Sequence, residues 1–197
     1  VEGSHDVITT GANSEFETVL YTGNGTSQTV NMTNITGGVD FVWVKNRDNT
    51  GSNVIADTIR GISKYLVTNT TGVEIDSATV SRITASDASS FTVQYESSNI
   101  REYNNNTEDY VAWCASLPTH TASNTAGTIT SETKANSFMS VVKWTGTASN
   151  ATIGHGLGVT PKMIIFKVLD SATDWVVYHV GVGNTGAFKT PLTLRRM

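Results

Sequence analysis

Phe138, Val141, Val142, Lys143, Trp144, Thr145 and Gly146 begin the stretch whose reading decides the fold, which continues through Ala151-Thr152-Ile153, Pro161 to Lys167 and Trp175 to Tyr178. An earlier stretch runs in the same order: Phe16, Val19, Leu20, Tyr21, Thr22 and Gly23, then Gln28-Thr29-Val30, Val39 to Lys45, and Val54 to Asp57. The separation stays near ~122 residues, the constant period that an internal repeat leaves. The repeated segments are short, rich in Val, Ile and aromatic residues, and bounded by Gly, Asn and Thr. That is the pattern of strands separated by turns. No segment keeps the three-and-four apolar spacing of a helix. The expected fold is all-β, an antiparallel β-sandwich of jelly-roll or lectin-like type, built from an internal duplication whose second copy is incomplete.

Working outward, Phe16 to Tyr21 and Ser27 to Met32 read as a hairpin through Thr22-Gly23-Asn24-Gly25-Thr26, a turn rich in residues that tolerate positive φ. Val39 to Lys45 is apolar on both faces, the mark of a central strand. Further strands are expected at Val54 to Ile59, Ser63 to Thr68, Val73 to Ile75, Arg82 to Ala85, Phe91 to Tyr95 and Tyr110 to Ala115. The organisation follows: 1–15 an N-terminal arm, 16–118 the first repeat, 119–137 a Thr/Ser-rich linker, and 138–197 the second, incomplete repeat. The second copy lacks counterparts of Phe91 to Tyr95 and of Tyr110 to Ala115. Its hydrophobic side is therefore expected to pack against the first copy or against other chains, since a missing strand leaves an open edge. The ending Leu194-Arg195-Arg196-Met197 is unlike a finishing strand, so a truncation or a longer gene product is expected.

Composition sets limits. The formal net charge is -4 and 15% of the 197 residues are charged, too weak a field to draw nucleic acid or anionic membrane. No apolar run is long enough to span a bilayer as a helix. The one cysteine, Cys114, lies in the apolar run Tyr110 to Ala115 and reads as a buried hydrophobe.

Catalytic patterns are weak. Glu74-Ile75-Asp76 puts two carboxylates on one strand face, as some sandwich β-glucanases do, but the position of the third acid is Thr79. His5, His120, His155 and His179 lack metal-ligand spacing. Asn104-Asn105-Asn106 reads as a turn, not a calcium loop. No catalytic residue, metal or cofactor is expected. The two copies test the aromatics: Trp43 aligns with Ile165 and so reads as core, whereas Tyr21 aligns with Trp144, aromatic in both and just before a turn. With Tyr103 and Asn105, a loop-tip aromatic and amide, Tyr21 and Trp144 form the candidate glycan-binding set. Lys45 aligns with Lys167 and reads as a stem capping the end of the sheet.

As a set, Tyr21 to Gly25, Asp40 to Arg47, Tyr110 to Cys114 and Gly154 to Ile165 resemble a family of tandemly repeated β-domains in structural proteins of marine bacteriophages, including cyanophages. Those proteins are labelled tail-fibre, adhesion or lectin-like. The resemblance implies a virion structural protein, a tail-fibre or host-attachment component that binds host-surface glycan, is virion-borne or extracellular after release, and assembles as a homo-oligomer, a trimer for a fibre, with other virion proteins. A capsid decoration or head-fibre protein and a glycan depolymerase are the alternatives. The family carries no defined catalytic residues to transfer.

Overall fold

The computed structural model describes residues 15–76, 83–94, 103–183 and 188–190. The reading of 1–15 as an arm falls almost wholly outside them. The described residues form fifteen strands and no helix, arranged in antiparallel sheets, an all-β sandwich as the turn spacing predicts.

The first part of the chain supplies β1 (Phe16–Thr22), β2 (Gln28–Asn31), β3 (Phe41–Asn46), β4 (Val54–Asp57), β5 (Lys64–Val67), β6 (Ile75–Asp76), β7 (Ile83–Ser86), β8 (Ser90–Val93) and β9 (Asp109–Ala115). Six of these form one sheet in the order β1-β9-β3-β4-β5-β6, and β2-β8-β7 forms a second. Strand β9, near the middle of the chain, lies between β1 and β3: Tyr110 pairs with Tyr21 on one side and Asn46 on the other, and Ala112 with Val19 and Val44.

Alternation then builds the core. Val42, Val44 and Val54 are 0% exposed, and Ala56 is 1% exposed. They pack with Tyr110, Ala112 and Cys114 from β9 and with Val30, Phe91 and Val93 from the second sheet. Successive strand residues face opposite ways. Trp43 and Trp113 therefore lie on the other face, half-buried, with their rings 5.9 Å apart and edge-on. The expectation that β3 is central holds, because it is hydrogen-bonded on both sides.

The rest of the chain forms β10 (Thr119–Asn124), β11 (Ser131–Ala135), β12 (Ser140–Trp144), β13 (Met163–Phe166), β14 (Trp175–His179) and β15 (Phe188–Thr190), in two sheets, β10-β11-β12 and β13-β14-β15. The stretch 119–137, expected as a linker, is corrected: it holds β10 and β11, which pair with each other and place β11 against β12. Its Thr residues are strand formers, and Ser131 and Thr133 are buried at 2% and 1% exposure. Ser131 Oγ donates to the Gly154 carbonyl at 2.8 Å, which satisfies a hydroxyl that composition alone reads as a solvent group.

Two further contacts lock the second part to the first. Trp175 Nε1 donates to the Thr70 carbonyl at 2.9 Å, and Glu74 N donates to the Leu169 carbonyl at 2.8 Å. Phe16 and Phe138 meet edge-on with centroids 6.0 Å apart.

Candidate functional site

The four residues of the expected glycan set fall in two places. Tyr21, Tyr103 and Asn105 come together at the end of the first sheet, where Asn104-rich chain folds over the β1–β2 turn. Tyr21 stacks on Tyr110 with centroids 5.1 Å apart and an interplanar angle of 13°. Its hydroxyl donates to the Tyr103 carbonyl at 2.6 Å. Tyr103 is 2% exposed and meets Tyr65 edge-on at 6.2 Å. Asn105 N donates to the Tyr110 hydroxyl at 2.9 Å.

The chain closes tightly here: Asn104 Oδ1 accepts from Asn24 N at 2.9 Å, and Gly23 N donates to the Glu108 carbonyl at 2.8 Å. Burial pushes the Tyr110 hydroxyl up to about 12, with the nearby Glu108 carboxylate adding to the rise. Burial, then the neighbouring Tyr110 and Cys114, pushes Tyr21 well above the usual phenol range. A stacking platform needs an open ring face. Tyr103 is buried and Tyr21 is partly buried with one ring face on Tyr110, so both pack at one end of the sandwich and present less open ring than a stacking platform needs.

Trp144 is different. It ends β12, is 36% exposed, and meets Phe166 of β13 edge-on with centroids 6.2 Å apart. The two rings line an open groove of about 410 Å³, together with Lys167, Val168, Thr173, Asp174 and Val176. Lys167 Nζ donates to the Val168 carbonyl at 2.7 Å and the Ser171 carbonyl at 3.4 Å, and partial burial lowers its pKa. Thr173 Oγ1 is buried and has no hydrogen-bond partner among the described residues. The groove is thus aromatic and aliphatic, with a few polar atoms at its wall, the usual make-up of a recognition surface. Sequence reasoning found Trp144 through its aligned aromatic but missed Phe166, because an apolar residue in a central strand reads as core.

The Glu74-Ile75-Asp76 triplet lies in an ion network. Arg60 Nε is 2.6 Å from Asp57 Oδ2, and Arg60 Nη1 is 3.0 Å from Glu74 Oε2. Lys64 Nζ is 3.5 Å from Asp76 Oδ2. With Arg60 and Asp57 side chains only 6% and 4% exposed, this network holds β4 to β6 together. Among the described residues, no group of three or more His, Cys, Asp or Glu is placed to hold a metal ion.

A model of the family described as a domain of unknown function, DUF7483, matches residues 12–194. No curated protein and no solved structure matches the chain.

Proposed function

The chain belongs to the DUF7483 family, and we propose that it is an assembly module of a bacteriophage virion, a tail-fibre or host-attachment component completed by neighbouring protein. One observation carries this reading. Twelve large hydrophobic side chains are exposed among the described residues, and eight of them, from Phe138 to Val182, belong to the second part of the chain. Beyond Asn136, Trp175 and Val177 are the only buried apolar residues among those described. Large apolar side chains left at the surface are what subunits of larger assemblies bury on association. The resemblance of Tyr21 to Gly25, Asp40 to Arg47 and Gly154 to Ile165 to repeats of phage structural proteins supports the virion setting.

The test is location. Antibody raised against this chain, applied to intact particles produced from the genome that encodes it, is expected to label the tail fibres. Label on the head would move the assignment to capsid decoration. Particles free of label would overturn the reading.

Glycan attachment is the second reading, favoured by the exposed Trp144 ring beside Lys167 and Asp174. A glycan array probed with the full chain and with Trp144→Ala tests it. Signals that vanish in the variant support it, and an array blank for both discards it. The depolymerase alternative gains nothing from Glu74 and Asp76, whose carboxylates are held by Arg60 and Lys64.

A further inference from the structure

We propose that the groove beside Trp144 takes an uncharged hexopyranose and turns away sugars that carry an acid group. The inference rests on the glycan reading of this groove and names the class of sugar.

Shape comes first. Trp144 and Phe166 stand at 88° with centroids 6.2 Å apart, so their rings form two walls of a corner. Val168, 46% exposed, and the half-buried Val176 extend the apolar lining. A pyranose has a face made of C–H bonds, and such a face packs on an aromatic ring without needing a hydrogen bond from it. The volume of about 410 Å³ lies at the small end of the range for small-molecule sites.

Charge then decides which sugar. Lys167 is the one cation among the lining residues, and Asp174 the one anion. The lysine is already engaged. Its Nζ donates to the Val168 carbonyl at 2.7 Å and the Ser171 carbonyl at 3.4 Å, which holds the chain that leaves β13. Lys45 does the same after β3, where its Nζ donates to the Asn49 carbonyl at 3.2 Å and the Gly51 carbonyl at 3.4 Å. In both places the ammonium serves the backbone of its own loop. An ammonium has three N–H donors, so Lys167 keeps one for a ligand. To hold a carboxylate or sulfate with more than that one, it would have to release a carbonyl that it now satisfies.

Asp174 is the opposite case. It is exposed, and its carboxylate has no hydrogen-bond or ion-pair partner among the described residues. An ionised carboxylate only accepts, and hydroxyls give it short charge-assisted bonds. Two neighbouring hydroxyls of a sugar supply such donors. An acid group on the sugar would set like charge against Asp174, and an amino sugar would bring its ammonium to Lys167. Thr173 Oγ1, buried and without a partner among the described residues, adds a hydroxyl at the same wall. An open acceptor, a withdrawn cation and two aromatic rings suit a ligand that is apolar on one face, donates from its rim and carries no net charge.

The test is saturation-transfer NMR of the full chain with the methyl glycosides of glucose, galactose and mannose, each set beside its uronate. Expected is a signal from at least one neutral sugar, with binding ~10-fold or more weaker for the matching uronate. Trp144→Ala, checked by circular dichroism, is expected to lose the signal. Asp174→Asn keeps the outline of an exposed side chain and removes its charge. It is expected to bind the neutral sugar ~10-fold more weakly and to bring the uronate within ~3-fold of it. A purely structural Asp174 would leave that ratio alone. A uronate that binds the parent chain as tightly as its neutral partner overturns the proposal, as does a preference unchanged in Asp174→Asn. If Trp144→Ala also removes that uronate signal, the glycan reading stands and only the sugar class falls. Silence from every sugar removes the glycan reading, and this inference with it.

Discussion

Lys134 Nζ lies 2.6 Å from Asp40 Oδ1 and 2.9 Å from Thr58 Oγ1, which ties β11 to the start of β3 across 94 positions of sequence. Asp40 is 7% exposed and also accepts from Leu117 N at 2.8 Å, so it is one of the joints at which the two parts of the chain meet. Removing one partner of a buried pair leaves the other charge uncompensated. Lys134→Ala is expected to lower stability by about 1–3 kcal/mol, the lower part of the range reflecting the water that reaches the lysine. Urea unfolding followed by tryptophan fluorescence checks it. A midpoint unchanged from the parent would mean that the contact carries no stability.

Alkali should act through the tyrosine pair. Tyr110 has its pKa raised from 10.0 to about 12 by burial, and Tyr21 is raised too. A raised value means that the folded state holds its proton longer than the unfolded state. Stability is then complete below about pH 10 and is lost as pH climbs toward about 12. Tyr21 and Tyr110 are expected to ionise only together with unfolding. Absorbance at 295 nm, set beside circular dichroism over the same titration, reads this directly. Full ionisation in a still-folded chain would contradict it.

Gly23 sits where the β1–β2 turn passes under the Asn104 segment. A Cβ added there would stand 2.2 Å from the Asn105 carbonyl oxygen, a backbone atom with nowhere to retreat. Gly23→Ala is therefore expected to cost about 1–3 kcal/mol by overpacking. Gly146→Ala, at the aligned turn, meets nothing within 4 Å and is expected to be nearly neutral. Parallel thermal melts of the two variants compare them.

Cys114 is 0% exposed and its thiol is pushed up by burial, with Glu17 adding to the rise. Thiolate is the reactive form, so the native protein at pH 8 is expected to resist a disulfide reagent and to react only as fast as the sandwich opens. Labelling rates measured against urea concentration test this. Prompt labelling in buffer alone would place the thiol outside the core.

Local pattern carried the strands well. Phe16 to Tyr21, Val39 to Lys45 and Tyr110 to Ala115 were legible because their alternation and the glycine and asparagine at their ends are properties of a few neighbouring residues. The 119–137 stretch was misread because Thr and Ser suit both a loop and a strand, and its buried hydroxyls find partners such as Gly154 only after folding. Tyr21 and Trp144 looked alike in sequence. The structure separates them, since a ring is covered or open according to what the distant chain lays over it, and Tyr21 has Tyr110 where Trp144 has an empty groove.

The amino-acid order by itself determined an all-β chain, since strand pattern and turn chemistry act over a handful of residues. Only the tertiary structure decided that β9 inserts between β1 and β3. Strand neighbours are chosen by hydrogen bonding and burial between residues far apart in the chain, and those contacts exist only once the sheets have formed.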